Sequence, residues 1–386
     1  MGRVHKFLEL QLWVVYFFAV QAIFALQKIY RTLLRIDRIP EGHVRLCSIV
    51  HRKKRDVEEI ARGMDFLSVH NSFVPTSLLD GSHWTLYCLT KNTAYFVYLP
   101  KPVLWYNSQR CPFVYVDYFK EALLVAEAPR EEFEKLADEL ADRPQADTIF
   151  YTNTARCGST LLAKMLHNEG KSHCVAEPYP IPCLTIGYAE GYLTKEDVTS
   201  LLPRVITILR KDVPADQVFI LKAESSGVRL VEFTDNIPQF RNIFSFRKDG
   251  IDSCERMLKR EEIGDVLTTL HLYLPRLTLW IFGYLAGHYL KNESRFLMPC
   301  IWFHDLIHNT EQLLREIFRN IGIPEETALE AMKWKGEDSQ KGTFLSKEAL
   351  QHIEIPPMTA EELTEMRQYA EAMEIPVDTL IKAEKP

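Results

Sequence analysis

The chain lacks the lysine that would make its most distinctive loop a nucleoside triphosphate site. A Walker loop opens on glycine and closes on Gly-Lys-Ser/Thr. Here the loop opens on Asn153, and Gly158 is followed by Ser159. A triphosphatase or kinase is therefore disfavoured. The chain also lacks an excess of positive charge: 46 Lys and Arg against 52 Asp and Glu leave a formal net charge of −6. That balance gives no general polyanion-binding signature, so no nucleic-acid partner is expected, and any phosphorylated ligand must find a local basic pocket. The eight cysteines show no CxxC or Cys/His spacing, so neither a metal site nor a disulfide framework is expected. One glycosylation sequon occurs, at Asn292-Glu-Ser294.

Long hydrophobic runs are scarce as well. The strongest, from Leu10 to Leu26, is at the short end of a membrane span and carries Gln11 and Gln21. No small-residue cleavage site follows it, so a signal anchor is expected rather than a cleaved peptide. The other reading is an apolar helix packed on the protein or lying on a membrane. Arg3 and Lys6 precede the run, and Lys28, Arg31, Arg35 and Arg38 follow it. That asymmetry favours a cytosolic main domain if the run is anchored.

What is present is an ordinary globular composition, 47% hydrophobic and 25% charged over 386 residues. Three parts are expected: an apolar N-terminal helix over 1–39, a small α+β domain with its linker over 40–146, and an α/β domain over 147–386. In the middle part, strands are predicted at 83–89, 94–99, 113–118 and 122–126, with a helix from Pro129 to about 142. Its aromatic side chains are expected to form core, and no catalytic constellation is visible in it. The basic run Arg52-Lys53-Lys54-Arg55 is expected to be a solvated helix face.

After the linker Arg143-Pro-Gln-Ala-Asp147, strands and helices alternate, which predicts a parallel sheet covered by helices on both faces. Strands are expected at 149–152, 173–177, 217–223, 242–246 and 296–303. Helices are expected at 195–211, capped by Thr194 with Asp197, then at 226–235, through Arg260 and over 264–290. A last helix starts at Asn309, with Gln312 in capping-box spacing, and stops at Gly322.

The run 148–166 organises this half. A β-branched strand pattern leads through a short polar loop into a helix starting at Ser159. That geometry makes a phosphate cradle: loop amides and the helix N-terminus face the anion. Gly158 permits close approach, Arg156 can grip phosphate oxygens, and Ser159 and Thr160 add hydroxyls.

The pattern basic-x-Gly-Ser/Thr-Thr at a strand–helix junction, Arg156-Cys157-Gly158-Ser159-Thr160, resembles the 5′-phosphosulfate loop of sulfotransferases. Three later features resemble the same family in the same order. Phe219-Ile-Leu-Lys222-Ala-Glu224 ends a strand. Arg241 to Ser253 holds an Arg247/Ser253 pair like the family's 3′-phosphate site, with a shorter spacing. Trp302-Phe-His-Asp305-Leu306 leads to Ile321-Gly-Ile-Pro324 and to Asp338-Ser-Gln-Lys341-Gly342-Thr, like the Gly-containing loop over the 3′-phosphate. The resemblance spans about 147–350. It implies a P-loop-like α/β fold and 3′-phosphoadenosine 5′-phosphosulfate (PAPS) as sulfuryl donor, with a carbohydrate or small molecule as acceptor. It also implies a Golgi membrane location, as for many carbohydrate sulfotransferases, against the flanking charges noted above.

Arg156 would replace the family's usual loop lysine. With Cys157, Gly158, Ser159 and Thr160 it would hold the 5′ end of the donor, while Arg247, Ser253, Lys341 and Gly342 would hold the 3′-phosphate. Lys222 would stabilise the leaving phosphate. Glu177 and Glu224 compete for the role of base, with Glu177 preferred because carbohydrate sulfotransferases often carry a glutamate there. His167 and His173 are weaker candidates and read as ordinary histidines. A non-catalytic protein retaining the fold is the other reading.

Overall fold

The computed structural model describes residues 2–54, 59–247, 284–343, 345–353 and 360–372. Two five-stranded sheets lie among them. The N-terminal sheet is antiparallel and contains β1 (His43–Arg52), β2 (Phe66–Pro75), β3 (Trp84–Leu89), β4 (Thr93–Tyr98) and β5 (Leu124–Pro129), in the order β2-β1-β5-β4-β3. The second sheet is parallel: β6 (Asp147–Asn153), β7 (Ser172–Ala176), β8 (Val218–Lys222), β9 (Phe240–Phe246) and β10 (Ile301–Trp302), in the order β10-β9-β6-β8-β7.

In the parallel sheet the chain starts at the centre, on β6. It lays β7 and β8 on one side and β9 and β10 on the other. The reversal falls at the carboxyl end of β6, where open α/β sheets leave a ligand crevice. Helices cover both faces. α4 (Ser159–Leu166) and, beyond β10, the helix Thr310–Ile321 share one core cluster with Ile149, Tyr151 and Ile220. On the other face, α5 (Pro180–Ala189) and α6 (Lys195–Arg210) share a cluster with Phe150, Phe219 and Leu221. The alternation of Ile149, Phe150 and Tyr151 between clusters is the two-residue period of a strand buried on both faces.

The N-terminal sheet joins that second cluster. One contiguous core runs from Val44 to Tyr289. Hydrogen bonds tie the two parts: Ser108 Oγ donates to the Ala163 carbonyl at 2.8 Å, and Gln109 Nε2 donates to the carbonyls of Lys164 and His167. Gln109 thus satisfies two carbonyls at the end of α4 that the helix itself cannot. Arg130, at the start of α3 (Arg130–Ala141), pairs with Asp197 of α6 at 2.6 Å.

Several expectations need correction. Residues 113–118 form no strand: α2 spans Val114–Glu121. Its aromatic and β-branched content looks like a strand, but the buried residues Val114, Tyr115, Tyr118 and Phe119 recur with helical period. The described residues of the basic run, 52–54, form no helix. Arg52 ends β1 and donates from Nε to the Phe119 carbonyl at 3.0 Å, while the Lys54 side chain is 1% exposed and 3.4 Å from Asp65. The fifth parallel strand is shorter than expected. Phe296 bridges to Asn242, but Pro299 has no N–H for a ladder, and pairing resumes only at Ile301.

The stretch after Glu224 is a 3₁₀ helix, Ser225–Phe233, capped by the Glu224 side chain. Thr194 and Asp197 form the expected capping box, and Gly322 (φ 85°) ends its helix. Asn309 caps nothing through its side chain, which donates instead to Asp305. The helix through Arg260 and most of 264–290 lie outside the described residues; 284–290 are helical.

α1 runs from Gly2 to Leu33. Among the described residues, no helix is long and apolar enough to cross a membrane. α1 also contacts the N-terminal sheet. Gln27 Nε2 donates to the Ser68 carbonyl, Arg31 pairs with Glu127 at 3.1 Å, and Tyr16 bonds His51. Its outer face leaves Leu12, Val15, Phe18 and Leu26 exposed. Asn292 of the sequon is buried, and its amide donates to the His288 carbonyl.

Candidate functional site

β6 ends at Asn153, and the chain turns through Thr154–Gly158 into α4. Two residues of this turn adopt left-handed backbone: Arg156 (φ 61°) and Gly158 (φ 80°). For a non-glycine residue that conformation costs about 1–2 kcal/mol. At Gly158 a second constraint applies, because a Cβ there would lie 2.9 Å from the Phe303 ring and 3.0 Å from Leu306. The glycine thus permits close packing of the cradle against the helix Phe303–His308, which follows β10. Gly158→Ala is expected to destabilise the fold by about 2–4 kcal/mol, seen as a lower urea midpoint at unchanged slope. A midpoint equal to wild type would refute this account of the loop.

The loop is anchored from beneath. Cys157 is buried, and its Sγ lies 3.1 Å from Ser245 Oγ, which also bonds Tyr151 at 2.8 Å. Burial pushes the Cys157 thiol above its usual range, so it stays protonated. Its side chain therefore supports the loop from behind. Ser159 and Thr160 open α4, where helix N–H groups and dipole favour an anion.

Arg156, Ser159 and Thr160 face a cavity of about 330 Å³. Lys222, Glu177 and Glu224 line the same cavity. Strand pairing explains the meeting. In the β7–β8 ladder Ala176 pairs with Lys222, so Glu177, the next residue, emerges beside it. The Glu177 N–H donates to the Lys222 carbonyl at 2.7 Å, and the Lys222 ammonium donates to the Glu177 carboxylate. Glu177 is also left-handed, φ 59°. Two non-glycine residues in this conformation on one cavity mark it as a place where folding accepts strain.

Lys222 is 1% exposed. Burial raises the Glu177 carboxyl above its ordinary value of 4.5; the Lys222 ammonium opposes that shift and the nearby Glu224 charge adds to it. Glu224 is differently employed. Its carboxylate accepts from the Ser226 N–H at 2.9 Å and from Ser226 Oγ at 2.5 Å, as the cap of the 3₁₀ helix.

The C-terminal loop reaches the cradle through a residue the sequence reading did not single out. Gln340 accepts from Arg156 at 2.7 Å through Oε1, and its Nε2 donates to Thr160 Oγ1 at 3.3 Å. The expected neighbours Lys341 and Gly342 are exposed and do not line the cavity, although Gly342 makes the left-handed turn (φ 77°) beside it. Arg247, at the end of β9, lays its guanidinium over the Phe303 ring, 4.5 Å from its centre. Ser253 lies outside the described residues.

His167 and His173 are away from the cavity. Burial lowers their pKa values to about 4 and about 3, so both are neutral near pH 7. The N-terminal part, in which the sequence showed no catalytic constellation, contributes Ile60, Phe113 and Tyr115 to the cavity wall. Tyr115 stacks on Tyr179 with ring centres 3.9 Å apart. Lys54 sits behind Tyr179, 5.1 Å from its ring centre.

The protein is thus an α/β chain whose central strand ends in a tight glycine-containing loop and a helix N-terminus beside a buried lysine–glutamate pair. No protein-family model and no curated protein matches the sequence. Among solved structures, the chain is similar to sulfotransferases. One is a sulfotransferase domain from the curacin biosynthetic pathway (14% identity, 61% of this chain and 99% of that one, TM-score 0.38). Another is a sulfotransferase from Mycobacterium avium (13% identity, 64% and 82%, TM-score 0.39). A third is a retinol dehydratase in a complex with retinol and PAP (12% identity, 78% and 98%, TM-score 0.30). Identity and superposition are both low.

Proposed function

We propose that the chain is a sulfotransferase that uses PAPS as donor and a hydroxyl compound as acceptor. The observation that supports this most directly is the meeting of an anion cradle with the buried Lys222–Glu177 pair in one cavity. The cradle residues suit a phosphosulfate chemically: a guanidinium, two hydroxyls and a helix N-terminus converge without the Walker lysine.

PAPS, when bound, supplies an activated sulfuryl group whose S–O bond to the 5′-phosphate breaks as a new O–S bond forms to the acceptor. In this reading Arg156, Ser159 and Thr160 hold the 5′ end, and Gln340 keeps Arg156 turned toward the cradle. Arg247 supplies charge for the 3′-phosphate. Lys222 neutralises charge growing on the bridging oxygen. Glu177 takes the acceptor proton, and a carboxyl held above its ordinary pKa is the better base. Glu224 is assigned a capping role, since Ser226 donates twice to its Oε2.

The test is a calorimetric titration with adenosine 3′,5′-bisphosphate (PAP). Arg156→Ala and Arg247→Ala are each expected to weaken binding by about 10–100-fold, the scale of one charged hydrogen-bonded contact. Equal affinity in wild type and both variants would remove the donor assignment.

A further inference from the structure

α1 presents two faces of opposite character. Positions 17, 20, 24, 27 and 31 recur every three or four residues and are buried or half-buried. This is the face turned to the N-terminal sheet. Tyr16 bonds His51 at 2.7 Å, Gln27 Nε2 donates to the Ser68 carbonyl at 3.0 Å, and the Arg31 guanidinium donates to both carboxylate oxygens of Glu127 at 3.1 Å. The Lys53 ammonium lies 4.6 Å from the centre of the Phe17 ring. On the opposite side run Val15, Phe18, Ala22, Leu26, Ile29 and Leu33, one per turn, and every one is exposed. No charged residue occurs from Leu10 to Gln27. More than half of the large apolar side chains that the described residues leave exposed fall between residues 12 and 34. Single exposed apolar side chains are ordinary, but a continuous strip over about five turns marks a surface that meets another apolar phase.

We propose that α1 is an in-plane membrane anchor. Its outer face rests at the boundary between headgroups and acyl chains of an anionic lipid surface, with the N-terminal sheet standing behind it. Charge selects lipid over other occupants. Directly after the uncharged run, Lys28, Arg31, Arg35 and Arg38 meet one acidic residue, Asp37, before Pro40. Lys28, Arg35 and Arg38 are exposed. Cations at the end of an apolar strip suit the phosphates and carboxylates of anionic headgroups. A second copy of the chain would offer the strip the same excess of positive charge. The tethers to the sheet set the orientation. They extend from Tyr16 to Arg31, so α1 cannot stand across a bilayer without breaking them or drawing His51, Ser68 and Glu127 in after it, and a carboxylate in hydrocarbon is costly. Lipid therefore meets α1 on its outer side, and the helix lies flat where the sequence alone suggested a spanning anchor. Neither Arg156 nor Lys222 takes part, so donor binding and lipid binding can fail separately.

The experiment floats the full chain through a density gradient with phosphatidylcholine vesicles, with and without phosphatidylserine. Flotation with the anionic vesicles, weakening at high salt, is expected. Phe18→Glu and Leu26→Glu, both at exposed positions, should each lower vesicle partitioning about tenfold or more and leave the urea midpoint unchanged. Lys28→Glu combined with Arg38→Glu should remove the preference for anionic vesicles. Depth is read from Phe18→Trp and Leu33→Trp with nitroxide-labelled lipids, as the quenching that each adds to that of the native tryptophans. The two positions lie about 22 Å apart along the helix axis. A flat helix gives equal, shallow quenching at both, whereas a spanning helix carries one of them toward the bilayer centre. Unequal depth overturns the proposal, and so does equal flotation with neutral vesicles. Failure to float overturns it too; if Phe18→Glu then turns a dimer into a monomer in sedimentation, the occupant of the strip is a second copy of the chain.

Discussion

Glu177→Gln is expected to lower the rate of sulfuryl transfer by about 10²–10⁴-fold, the range associated with a positioned general base, and to leave PAP affinity unchanged. Glutamine keeps the volume and an oxygen that can accept from Lys222, so the variant should fold. It cannot take a proton. The pH–rate profile provides the second readout. Burial raises the Glu177 carboxyl, so wild-type activity should rise with pH along a limb lying above the ordinary glutamate value of 4.5. That limb should vanish in the glutamine variant. Glu224→Gln should keep the limb and lose far less activity, because its carboxylate caps the 3₁₀ helix through Ser226. If the two variants exchange these outcomes, Glu224 is the base.

Lys222→Met is the other large effect: about 10²–10³-fold in turnover, the cost of removing a group aimed at developing charge. It also uncouples a buried pair. With the ammonium gone, nothing opposes the desolvation that raises Glu177, so the acid limb should move to higher pH than in wild type. Stability carries the same signature. A carboxyl whose folded pKa is raised favours the folded state fully below its unfolded value, about 4.5, and loses that contribution as pH rises through the folded value. The stability deficit of Lys222→Met should therefore be small near pH 4.5 and grow toward about 3–5 kcal/mol as Glu177 is forced to ionise unpaired. Denaturant melts at several pH values measure this. A deficit independent of pH would mean that the pair does not govern the ionisation of Glu177.

These two side chains also show how far a sequence reading reaches. The strand–loop–helix at 148–166 was legible because everything that specifies it is local: β-branched residues, a polar turn, Gly158 and a helix-start pattern. The parallel sheet was legible from alternation alone. Lys222 and Glu177 could each be placed at a strand end, but their contact depends on β7 pairing with β8 in the register that sets Ala176 against Lys222. Register across a crossover connection is a property of the sheet and leaves no local mark.

The misreadings have a common cause. Residues 113–118 carry strand-type side chains, yet they fold as α2 because burying Tyr115, Tyr118 and Phe119 together requires a helical period. Lys54 reads as a surface charge among other basic residues, and only the closing of the N-terminal sheet over Asp65 and Tyr179 buries it. Gln340 lies inside the C-terminal loop motif but has no signature of its own; its role arises because that loop returns to Arg156.

The sequence by itself determined the strand–loop–helix at 148–166, the α/β alternation and the absence of a Walker lysine, since local propensity and side-chain chemistry suffice for each. Only the tertiary structure decided that Glu177 is buried against Lys222, that Glu224 is spent as a helix cap, and that an apolar wall from the N-terminal part completes the cavity. Those are matters of which surfaces meet, and burial and long-range pairing, which set the charge state and reach of each side chain, exist only once the sheets have packed.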